Sequence, residues 1–167
     1  ALRSDPQKRI NALTAVGDTL FIPSDIGLSI FSISRMEFRA TYSRFGPGPN
    51  PIVGGVTGIA FYHNALWVST RSGIATTPLD NANPSAPESW TIYSVAQGLP
   101  SSVCNGLAVA FDTLFAATGN GLAASSSTGW SSLSRTTGMN VIDIVLDSKP
   151  TAGQFLLHFL TADQEWV

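Results

Sequence analysis

The chain has 167 residues, 44% of them hydrophobic and only 12% charged, with a net charge of −2 at neutral pH. That is one domain's worth of core-forming sequence, which excludes intrinsic disorder, and the weak negative balance excludes a strongly basic nucleic-acid binder. No apolar run approaches the length of about 18 residues that a transmembrane helix needs, and fifteen glycines and ten prolines point to a turn-rich β protein.

The predicted elements, taken in chain order, repeat. The segment Gly17-Asp18-Thr19-Leu20-Phe21-Ile22-Pro23-Ser24-Asp25-Ile26-Gly27-Leu28 sets a pattern that returns at 64–74 and again at 112–122. A degraded fourth copy reads Leu157-His158-Phe159-Leu160-Thr161-Ala162-Asp163-Gln164. The turn glycines Gly27, Gly73 and Gly121 lie 46 and 48 residues apart, and the series Ser24, Thr70, Thr118, Thr161 ends on a spacing of 43. A second marker runs in phase with the first. An aromatic residue precedes a glycine by eight at Phe38 and Gly46, Trp90 and Gly98, and Trp130 and Gly138.

Each unit reads as four short strands. In the second they are predicted at 57–62, 66–70, 74–79 and 89–94, from alternation and from β-branched and aromatic content. The glycine ahead of each Leu or Ile is expected to supply positive φ in a hairpin turn. Four-stranded units of 40–50 residues have the spacing of β-propeller blades. The expected fold is therefore all-β: one partial propeller over 1–167, with blades at about 10–46, 53–98 and 102–138 and an incomplete one at 140–167. Pro23 falls where a middle strand needs a donor, so a bulge or a distorted first blade is expected there. Natural propellers close with about four to eight blades. This chain thus reads as a piece of a longer propeller, or as a part that closes a ring by self-association.

Leu66-Trp67-Val68-Ser69-Thr70, Gly73-Ile74, Trp90 and Gly98-Leu99-Pro100-Ser101 resemble the two-component-regulator type of propeller repeat. The resemblance runs from about Asn11 to Asp163. It implies a propeller fold and a periplasmic or extracellular setting, either in the sensor region of a hybrid histidine kinase or in a surface or secretion-associated protein of Gram-negative bacteria. Phe38-Arg39-Ala40-Thr41-Tyr42-Ser43 and the long insertion at 79–90 look more like the latter group.

The residues carrying chemistry are few. Cys104 is the single cysteine, which forbids an internal disulfide, and its apolar surroundings mark it as a core residue. His63 reads as a turn residue and His158 as a strand residue, without the converging ligands of a metal site. Asp18 and Asp112 share one repeat position, which favours a turn role. Asp25 and Asp163 lie in hairpins that could approach one face, as the carboxylate pair of a propeller hydrolase would. Gly46-Pro47-Gly48-Pro49-Asn50-Pro51 is too proline-locked for a phosphate loop and reads as a stiff connector. Trp67, Trp90 and Trp130 are expected to pack between blades. The candidate binding residues are Asp25, Arg44, Arg71 and Asn120, at hairpins and strand ends of one loop face. The expected function is a non-enzymatic interaction or scaffold module for a protein or glycan partner, with no cofactor and no metal. Ligand sensing is the alternative, and after it a lyase or hydrolase whose site lies in other blades.

Overall fold

The computed structural model describes residues 9–146 and 157–162. Strands β1 (Thr14–Val16), β2 (Thr19–Ser24), β3 (Gly27–Ser32) and β4 (Glu37–Tyr42) form a first antiparallel sheet in that order. A small pair, β5 (Arg44–Phe45) and β6 (Ile52–Val53), leads to the second sheet. It consists of β7 (Val56–Tyr62), β8 (Ala65–Thr70), β9 (Gly73–Pro78) and β10 (Thr91–Tyr93). The third sheet holds β11 (Cys104–Ala110), β12 (Thr113–Thr118), β13 (Gly121–Ser126) and β14 (Gly129–Ser132). Strands β15 (Val141–Leu146) and β16 (Leu157–Thr161) pair at the end. Helical geometry among the described residues is confined to single 3₁₀ turns.

The predicted strands of the second unit match these bounds except at the last. There Pro87–Ser89 forms a 3₁₀ turn, and Ser94 caps another at Val95–Gln97, leaving only Thr91–Tyr93 extended. The hairpins at β2–β3, β8–β9 and β12–β13 are one motif three times. The Oγ of Ser24, Thr70 and Thr118 donates to the carbonyl of Gly27, Gly73 and Gly121 at 3.0, 2.9 and 2.7 Å.

Alternation puts two apolar faces on the middle sheet. Leu66, Val68 and Ala75 pack toward Leu28, Phe21 and Tyr42 of the first sheet. Ala60, Trp67 and Ile74 pack toward Leu107, Leu114 and Trp130 of the third. The first strands lie side by side, β7 beside β11 and β11 beside β15. A repeated bond fastens them. Asn11 Nδ2 donates to the Val56 carbonyl at 2.8 Å, Thr57 Oγ1 to that of Cys104 at 2.7 Å, and Asn105 Nδ2 to that of Val141 at 2.7 Å. In β7 and β11 the donor sits at a register shift, between Val56 and Gly58 and between Cys104 and Gly106. The extra residue of the bulge turns its side chain out of the ladder toward the next sheet.

Pro23 keeps regular register with Leu28 of β3. The interruption falls on its other side. Strand β1 has three residues where β7 and β11 have seven, and Ile10 joins Ser24 only by an isolated bridge. The ring nitrogen has no proton to give the first strand, so the ladder breaks there.

Candidate functional site

The hairpin residues chosen from sequence separate into three places. Asp25 and Arg71 border one cleft of about 270 Å³, beside Arg9, Asn11 and Thr57. Asp25 Oδ1 accepts from Asn11 Nδ2 at 3.0 Å, and Oδ2 lies 3.6 Å from Arg9 Nε. Asp25 therefore orients the Asn11 amide, which also reaches the second sheet. Arg44 borders a different cleft, with Gly46, Pro47, Pro87 and Glu88. Asn120 joins loops: its Nδ2 donates to the Pro100 carbonyl at 3.2 Å, and its Oδ1 accepts from the Gly138 N–H at 3.1 Å. Asp163 lies outside the described residues.

Asp18 and Asp112 do sit in the turns after β1 and β11. Asp18 accepts from Ser32 Oγ at 2.8 Å and from both the N–H and Oγ of Ser34, and these bonds, that from Ser32 foremost, hold its carboxyl below the usual range. Asp112 Oδ1 lies 3.2 Å from His63 Nε2, linking the corresponding turns of the second and third sheets. His158 stands opposite Val145 in the final strand pair. Cys104 is fully buried, and burial pushes its thiol up to about 12. Among the described residues no group of three or more His, Cys, Asp and Glu is placed to hold a metal ion.

A cleft of about 660 Å³ lies between the second and third sheets. Its floor is aromatic. Trp67 stacks on Tyr93 with centroids 5.4 Å apart, Trp130 meets both edge-on at 6.1 and 6.4 Å, and Tyr62 stacks on His63 at 3.9 Å. The rim is neutral and polar, made by Gln97 and the β13–β14 turn around Ser127 and Thr128. The indole N–H of Trp67 donates to the Tyr62 carbonyl at 3.2 Å, and the Tyr62 hydroxyl to that of Asp112 at 2.9 Å. The Trp130 Nε1–H has no partner among the described residues. Since no fully buried side-chain nitrogen or oxygen among the described residues lacks one, this N–H reaches solvent.

Trp90, Trp67 and Trp130 pack between sheets, as their repeat positions predict. Sequence reasoning missed that two of them also border an open cleft. The signal was a difference in connection length: 79–90 joins β9 to β10, while only Ser127 and Thr128 join β13 to β14.

No family model matches the chain, and no curated protein matches it. Solved structures do. The extracellular domain of the hybrid two-component system BT4673 from B. thetaiotaomicron aligns with a TM-score of 0.67 at 16% identity, over 95% of this chain and 21% of that one. PorZ, a surface component of the type-IX secretion system of Porphyromonas gingivalis, aligns with a TM-score of 0.63 at 17% identity, over 98% of this chain and 21% of that one. The computationally designed Ika4 protein aligns with a TM-score of 0.62 at 11% identity, over 98% of this chain and 92% of that one. This chain thus spans about a fifth of the length of the two natural structures. At these identities the likeness is one of fold.

Proposed function

We propose that the three sheets are blades of a β-propeller and that the chain is a non-enzymatic interaction module of a bacterial envelope or secreted protein. The blades correspond to about 10–46, 53–98 and 102–138, with the β15–β16 pair beginning a fourth. The fold-level likeness to an extracellular sensor domain and to a secretion-system surface component supports this setting.

One observation carries the reading. The outward side of the first sheet is apolar. Leu13 and Phe38 are 61% and 67% exposed, with Leu20, Ile22 and Phe31 half-buried between them. Register identifies this side: Leu20 and Ile22 occupy the positions of Leu66 and Val68, which the first sheet covers. It is a face built to receive another sheet, and exposed apolar patches of this kind mark interaction surfaces. Where no further repeat covers this face, its occupant is a second copy of the chain.

The test is a fluorescent apolar dye on the Leu13→Lys/Phe38→Lys double variant. The wild type at low concentration should bind dye and the variant should bind several-fold less, with unchanged circular dichroism. Equal dye binding by the two would overturn the reading.

A ligand-sensing role is the second reading, favoured by the meeting of Asp25 and Arg71 in one cleft. It requires that Arg71→Ala weaken the binding of an oligosaccharide without loss of fold.

A further inference from the structure

The first and second inter-sheet junctions repeat one arrangement. Tyr42 and Trp90 meet with centroids 6.1 Å apart in one, Tyr93 and Trp130 at 6.4 Å in the other. They differ in what lies over the tryptophan. Above Trp90 the connection from β9 to β10 folds back, and its Pro84 carbonyl accepts the Trp90 Nε1–H at 2.8 Å. The Pro87 carbonyl accepts from the Gly46 N–H at 2.9 Å. This cover reads Pro84-Ser85-Ala86-Pro87, and Ala86 has φ −77° and ψ 124°, close to polyproline II geometry. Beneath it Trp90 is 1% exposed.

Above Trp130 the two-residue turn is too short to fold back, and the cleft of about 660 Å³ remains. Trp130 is itself more than nine-tenths buried, yet its N–H is open, where the Trp90 N–H is satisfied. The Tyr93 ring meets that of Trp130 at 6.4 Å, and its hydroxyl has no partner among the described residues either. An open donor set among stacked aromatic rings suits a segment that offers a carbonyl and flat apolar rings. Proline-rich segments supply both and lose little entropy on docking, because the polyproline II form is already populated.

We propose that this cleft is the docking site for an extended, proline-bearing peptide segment of a protein partner. A carbonyl of the segment accepts the Trp130 Nε1–H as the Pro84 carbonyl accepts that of Trp90. Its proline ring lies against Trp67 and Tyr93, and Gln97 and Thr128 bracket its polar backbone. The proposal rests on reading the chain as an interaction module, and it names the chemistry of one partner.

The test uses the full chain with its tryptophan indole nitrogens labelled and observed by NMR. The probe is a capped synthetic peptide, Asn-Ala-Asn-Pro-Ser-Ala-Pro-Glu-Ser, copying residues 81–89. Saturable movement of the Trp130 indole signal, with the Trp90 signal unmoved, is the expected result. Trp130→Phe keeps an aromatic side chain but removes the indole donor, and binding followed on the Trp67 indole signal should weaken about tenfold. Thr128→Arg crowds the rim from an exposed turn, and should abolish binding even if Trp130→Phe fails to fold. Replacing both prolines of the peptide by alanine should weaken it severalfold. Three results would overturn the proposal: no movement of Trp130 at about 1 mM peptide, equal affinity for wild type and Thr128→Arg, or saturation by neutral maltoheptaose but not by the peptide. Dye binding at the first sheet does not involve this cleft. A failed peptide titration with dye binding intact sinks the cleft alone, and loss of the dye difference sinks the module reading.

Discussion

At the scale of single residues, the sheets are fastened by a few polar bonds set among apolar contacts. Thr57→Val keeps the shape of the side chain and removes the hydroxyl that donates to the Cys104 carbonyl at 2.7 Å. The carbonyl loses its cross-sheet partner, so urea denaturation should show a loss of about 1–2 kcal/mol. Cys104 makes a second prediction. Its thiol is neutral in the fold until about pH 12 but ionises from about pH 9 in the unfolded chain. A pKa raised by folding leaves stability unaffected below the unfolded value. As pH rises from about 9 towards 12 the unfolded state releases its proton first, and stability falls. Native protein at pH 8 should therefore resist alkylation that urea makes rapid. Of these roles, the burial of Cys104 was legible from its apolar neighbours. The reach of Thr57 was not, because a bulge redirects its side chain and no local pattern marks a one-residue register shift.

At the scale of elements, the hairpins between second and third strands carry the repeat. Gly73 has φ 134°, and a Cβ there would meet the Tyr93 carbonyl oxygen of the outer strand. Gly121 has φ 113°, and its Cβ would come within 2.7 Å of the Thr136 carbonyl oxygen. Gly73→Ala combines a disfavoured backbone region with a backbone collision, so it should cost more than about 2 kcal/mol in thermal or urea unfolding. The positive φ was legible from glycines spaced 46 and 48 residues apart. The collision was not, since it depends on how closely the outer strand passes. The outer strands were also the least legible elements. The aromatic marker located them, but the 3₁₀ turn at Pro87–Ser89 takes the start of the predicted 89–94 strand, and Ser94 ends it as the cap of the next 3₁₀ turn. The candidate site shows the same limit. Asp25 and Arg71 share a cleft because equivalent hairpins of neighbouring sheets lie side by side, while Arg44 and Asn120 lie apart from them. The aromatic cleft depends on what a connection leaves uncovered, which a strand pattern does not encode.

At the scale of the whole molecule, what matters is which sheet faces have partners. The second and third sheets each have a face covered by the sheet before them, and the corresponding face of the first carries exposed Leu13 and Phe38. At the other end Ile142, 41% exposed, stands where Asn11, Thr57 and Asn105 supply inter-sheet donors. The first face is thus the stronger docking surface, being apolar and continuous. The measurement that bears most directly on this account is the mass of the purified chain in solution by light scattering. The wild type should run as a dimer or larger species, and Leu13→Lys/Phe38→Lys should return it toward the 17.6 kDa monomer. A wild type that stays at the monomer mass as concentration rises would contradict it.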